Sequence, residues 1–72
     1  MVKHKKLPDF LKSKRKQTKL TQRECALKAG VGLRFVREVE QGKQTLNISK
    51  VNQILALFGY QLQPRRIDQI EN

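Results

Sequence analysis

Arg34 and Arg37 stand three residues apart in the stretch VGLRFVREVEQGK, residues 31–43, with Lys43 closing it. A guanidinium presents a planar fork of donors that grips a carboxylate, a phosphate or a guanine edge through two bonds at once. That is recognition chemistry. Turnover would need further groups, and the chain offers few. Its single histidine, His4, sits in a basic leader. No Ser/His/Asp set or carboxylate pair converges, and there is no glycine-rich phosphate loop. The soft metal ligands are His4 and Cys25 alone, too few for a site. No enzyme, metal or cofactor is therefore expected. The two arginines are either a solvated helix face or fingers aimed at a partner, and the elements that carry them decide which.

The charge balance narrows the partner. Sixteen Lys/Arg against six Asp/Glu in 72 residues give a formal net charge of +10. Such a bias implies a polyanion, most often nucleic acid. It is concentrated early: Lys3, Lys5, Lys6, Lys12, Lys14, Arg15, Lys16 and Lys19 face one acid, Asp9, within residues 1–19. A chain this short makes one small domain that buries only roughly 60% of its unfolded surface. A single cysteine excludes an internal disulfide, so the core must rely on helix packing and self-association. The lone thiol fits a reducing, cytoplasmic setting. No apolar run approaches the roughly 20 residues of a membrane span, and no apolar stretch follows the basic start as in a secretory signal.

The elements follow from spacing. Residues 1–6 read as a loose basic arm. Pro8 suits a first helical position, and PDFLKSKRKQTK predicts a helix of about three turns with Leu7, Phe10 and Leu11 on one stripe. Thr21 and Glu24 form a capping box for a second helix over roughly 22–29, which Gly30 ends. A third helix over roughly 32–41 puts Val31, Phe35, Val36 and Val39 on one side. Leu33, Arg34, Arg37, Glu38 and Gln41 fall on the other. Asn47 caps a fourth, with Ile48, Val51, Ile54, Leu55 and Phe58 as its apolar stripe and Gly59 as its end. YQLQP then alternates like a short strand. A lone strand cannot satisfy its own backbone, so its partner is the same strand of another copy. The tail RRIDQIEN can add a helical turn.

Two short helices joined by a tight glycine turn, the second with a polar outer face, form a helix-turn-helix unit, whose second helix enters the DNA major groove. LKSKRKQTKLTQRECALKAGVGLRFVREVEQGK resembles the Cro/C1 (XRE-type) helix-turn-helix domain. The resemblance rests on Arg15, LTQ at 20–22, Ala26, GV at 30–31, Val36 and VEQG at 39–42. It implies a compact all-α, lambda-repressor-like fold of four to five helices over residues 7–59. It also implies a structural pair between Arg15 and Glu40. The segments FVREVEQGK and ALFGYQLQP further resemble HipB-like antitoxins of toxin–antitoxin modules. That likeness implies a repressor that controls its own operon, a HipA-like kinase toxin as partner, and a homodimer joined by the strand within residues 60–72. A stand-alone phage-type repressor, or a module acting mainly by holding a toxin, are the other readings.

On this resemblance the base-contacting positions are Gly32, Leu33, Arg34, Arg37 and Glu38. Arg34 and Arg37 either grip guanine or bind phosphate. Leu33, where the family is usually polar, either touches a thymine methyl or packs on the fold. Gly32 replaces the usual Ser or Thr cap and offers no side chain. Glu38 either accepts from cytosine or holds Arg34 by an i, i+4 pair, and the pair is preferred. The phosphate-contacting positions are Lys19, Thr21, Gln22, Phe35 and Lys43, with Lys3, Lys5 and Lys6 of the arm as further candidates. Phe58, Tyr60 and Leu62 belong to the dimer interface, Phe58 lying behind the other two as core. Cys25 is expected to be a small buried hydrophobe, and exposed Leu27 is a possible contact for a partner.

Overall fold

Helix starts and stops dominate the architecture. The computed structural model describes residues 6–64, and contains α1 (Leu7–Gln17), α2 (Gln22–Ala29), α3 (Leu33–Glu40) and α4 (Ile48–Ala56). The lysines of the arm before Lys6 and the tail beyond Pro64 lie outside the described residues. Pro8 stands in the first turn of α1, as its fixed φ favours. Thr21 caps α2 through the complete capping box: its hydroxyl accepts from the Glu24 N–H at 3.0 Å, and the Glu24 carboxylate accepts from the Thr21 N–H at 2.8 Å. The Asn47 side chain accepts from the Lys50 N–H at 3.1 Å to start α4. Gly32 starts α3 without a side-chain bond.

All four helices stop in the same way. The backbone of each turns left-handed just past its end, and two N–H groups reach back to the carbonyls of the last turn. This Schellman geometry leaves few orphan carbonyls. At the end of α2, Gly30 (φ 76°) meets the requirement without a Cβ penalty, and the Val31 N–H donates to the Ala26 carbonyl at 3.0 Å. Three of the four turns use glycine. The fourth, after α1, places Lys19 at φ 60°, with the Leu20 N–H bonded to the Arg15 carbonyl at 3.0 Å. A side chain in this region costs about 1–2 kcal/mol. Lys19→Gly, after glycine's own entropy cost, is expected to stabilise the domain by about 0.5–1 kcal/mol. A thermal midpoint raised by roughly 2–8 °C would register it. An unchanged or lower midpoint would mean that the lysine's own contacts offset the strain.

One core unites the helices. Leu11 from α1, Cys25 and Ala26 from α2, Val36 and Val39 from α3, and Val51, Ile54 and Leu55 from α4 are buried together. α2 packs against α3 and α4, and α1 against α3. Cys25 is the small buried hydrophobe expected of it, and burial pushes its thiol pKa up. Leu27 is exposed, as anticipated.

Three placements differ from expectation. Ile48 does not join the core stripe: it is 65% exposed. As the first residue of α4 it overhangs the core edge, which begins one turn later at Val51, and it lines an apolar recess with Leu62, Gln63 and Pro64. Leu33, assigned to the polar side, is half-buried and packs against the core cluster. Among the described residues there is no strand. Residues 60–64 follow the closing turn of α4 without ladder partners, since one chain offers no second strand. Instead they lie on their own domain. The Tyr60 ring meets Phe10 edge-on at 4.8 Å, with Lys14 Nζ over both rings at 5.2 and 5.6 Å. The Leu62 N–H donates to Asn52 Oδ1 at 2.8 Å. Tyr60 thus spends one face on α1, while Phe58 is half-buried against the core. No helix among the described residues is long and apolar enough to cross a membrane.

Candidate nucleic-acid interface

The site begins with a buried anchor. Arg15 Nε donates to Glu40 Oε2 at 2.7 Å and Nη2 to Oε1 at 2.9 Å, a two-pronged fork. Its third nitrogen, Nη1, donates to the Leu20 carbonyl at 2.9 Å. Gln22 Nε2 completes the set by donating to Glu40 Oε1 at 3.1 Å. One carboxylate at the end of α3 therefore ties down α1 and the first residue of α2. The Glu40 side chain is 2% exposed and that of Arg15 11%. Burial alone would push the Glu40 pKa up. The Arg15 fork, the Gln22 amide and the charges of Arg15 and Lys12 outweigh it and hold the carboxyl below the ordinary range. The hydrogen bond from Glu40 likewise raises the Arg15 pKa against the cost of burial. No buried side-chain polar atom among the described residues lacks a partner, so the anchor is internally complete.

This anchor aims the outer face of α3. Arg34 is 90% exposed, its Nε 3.4 Å from Glu38 Oε2. The same oxygen stands 3.4 Å from Lys43 Nζ. The expected i, i+4 pair is present, and Glu38 is shared between two cations. Arg37 is exposed and has no ion-pair partner among the described residues. Together with Thr21, Gln22, Arg23, Glu24 and Leu33 it lines a hollow between the start of α2 and the face of α3. The structure therefore gathers Thr21, Gln22, Leu33 and Arg37 into one place. Arg34, Glu38 and Lys43 form a neighbouring charge cluster. Phe35 stands apart from both: it is half-buried against the core, with Lys50 Nζ 5.8 Å from its ring. Gln22, expected at a phosphate, has its amide nitrogen turned inward to Glu40.

Some contributors are not visible in local sequence. Arg23 lines the hollow from the first turn of α2, and its only signal is a base beside Gln22. Gln53 of α4 donates to the Ala29 carbonyl at 3.1 Å and the Gly30 carbonyl at 3.5 Å, bracing the turn between α2 and α3 from behind. Lys12 adds its charge to the field at Glu40. The latter two arise from tertiary placement.

α2 and α3, joined by a left-handed glycine turn, with α3 held to α1 by the Arg15–Glu40 pair, have the arrangement of a helix-turn-helix unit, and comparison with known proteins agrees. A helix-turn-helix family model matches residues 11–72. The chain belongs to the helix-turn-helix family. A protein of Sinorhizobium fredii, described as an uncharacterised HTH-type transcriptional regulator, is 51% identical over 45 residues. The match covers 62% of this chain, which spans only 59% of that relative's length. In helix-turn-helix terms, α2 is the supporting helix and α3 the recognition helix. The positive dipole end of α2 lies beside the outer face of α3, an arrangement that favours negative charge there.

Proposed function

We propose that this chain is a sequence-specific DNA-binding transcriptional repressor with no enzymatic activity. The observation that carries the reading is the recognition helix itself. Arg34 and Arg37 stand on its solvent face, while Val36, Val39 and Glu40 fix its inner face to the rest of the domain. A pinned helix can hold side chains in register with base edges. The formal charge of +10 per chain, about +20 for two copies, supplies the non-specific part of the affinity. Binding as a homodimer sets two recognition helices about 34 Å apart, and calls for an inverted-repeat operator.

Titration of the protein against its own upstream DNA across salt tests this. An inverted repeat is expected to bind at least a thousandfold more tightly than scrambled DNA of equal length. Equal affinity for both would defeat the repressor reading.

The finer proposal is an antitoxin of a HipA-like kinase module in the cytoplasm. It is supported by the resemblance of FVREVEQGK and ALFGYQLQP to HipB-like antitoxins, and by the exposed segment after α4, where Leu62 keeps 40% of its surface free. That segment is where strand pairing between two copies would occur. Co-purification of a kinase encoded beside this chain supports the antitoxin role. Its absence leaves a stand-alone repressor.

A further inference from the structure

We propose that Leu33 and Arg37 act as one reading unit. It selects a thymine and a guanine within about two base pairs of each other in each half-site, while Arg34 is secondary. The inference rests on the DNA-binding reading above and names the sequence class that the site takes.

Leu33 and Arg37 are four residues apart on α3, one turn, and line the same hollow. Their separation along the helix axis is about 6 Å, less than two steps of about 3.4 Å along the duplex. The hollow holds one acid, Glu24, and its carboxylate is committed to the Thr21 N–H at 2.8 Å. Arg23 and Arg37 leave the hollow net positive. Leu33 is only half-buried and lines the hollow, so part of its apolar surface is open to a base edge seated there. A thymine offers a C5 methyl there, and guanine offers the paired O6 and N7 acceptors that a guanidinium grips. Leucine has no hydrogen bond to give, so its selectivity can only come from that methyl.

Arg34 differs. Its Nε lies beside Glu38, whose carboxylate also serves Lys43. Gripping a guanine with Arg34 would either break that pair or carry a carboxylate toward the acceptor edge of a base. Among the described residues, Arg37 has no such partner to give up.

Selection from a random-sequence duplex library, followed by binding to the selected duplex with deoxyuridine in place of every thymidine, tests this. Deoxyuridine removes only the methyl. The selected half-site is expected to contain a thymine within two base pairs of a guanine. The uracil duplex is expected to bind about fourfold more weakly per half-site, the worth of one buried methyl, and about fifteenfold more weakly for the full palindrome. Leu33→Ala should abolish that difference. Leu33→Gln serves the same purpose if the alanine variant fails to fold. Undiminished binding of the uracil duplex by the unaltered protein overturns the inference, as does an equal uracil penalty in the Leu33 variants. A library that yields no enriched sequence defeats instead the DNA-binding reading on which the inference rests.

Discussion

Replacing Arg15 with alanine is expected to cost about 3–5 kcal/mol of folding stability, measured as a lowered midpoint in urea. The change leaves the Glu40 carboxylate buried with only the Gln22 amide for company. A domain of this size has a total stability of roughly 4–11 kcal/mol, so the loss removes a large share of it and, at the low end of that range, unfolds the domain. The cost comes mainly from the stranded charge, because a buried pair as a whole adds little net stability. Arg15→Met combined with Glu40→Leu should accordingly recover most of the loss. A single Arg15 variant that loses less than about 1 kcal/mol would show that water or Lys12 can shield Glu40 in its place.

The second large effect concerns recognition. Arg37→Ala should lower the preference for operator over scrambled DNA by about tenfold to hundredfold per half-site, equivalent to about 1–3 kcal/mol of lost base discrimination at each. Folding stability should hardly change, since the side chain is exposed and has no ion-pair partner among the described residues. Arg34→Ala should cost less discrimination, because the Glu38 carboxylate stands within ion-pair distance of that guanidinium and competes with a base for it. Competition binding at fixed salt measures both. If Arg37→Ala weakens binding to operator and scrambled DNA by the same factor, Arg37 is a phosphate contact.

Much of this site can be read directly from residue order, and the parts that cannot share a physical cause. The span of α2 follows from Thr21, Glu24 and Gly30, because capping groups act within a turn of their own position. The two faces of α3 follow from its helical period, apart from Leu33. That residue lies at the first turn, where the core edge can claim a side chain from the outer face. Ile48 is the converse case, an apolar residue in the right period placed one turn beyond the core. The link between Arg15 and Glu40 is legible only through family resemblance, since 25 positions separate them. The inward turn of Gln22 and the brace from Gln53 depend on where three helices converge, and no local rule encodes that. The docking of Tyr60 on Phe10 and Lys14 is equally a tertiary outcome. Lys19 is the plainest miss: lysine carries no sign that its backbone must turn left-handed, and only the two bonds that close the end of α1 impose it.

The recurrence of one stop at all four helix ends bears on how quickly the domain assembles. Each helix can end itself using only its own last turn and the next two residues, so where it stops is encoded locally, although helices this short still need docking to persist. The links between helices are short, and most of the ordering is local in the chain. Such topologies fold in microseconds to milliseconds. The junction of Arg15 with Glu40 is the exception. It closes across 25 positions of chain and needs α1 and α3 already in place, so it is expected to form late, with a φ-value near zero for Arg15 variants. Strengthening or weakening it then changes chiefly how long the native state lasts before opening, and leaves the speed of its formation nearly untouched.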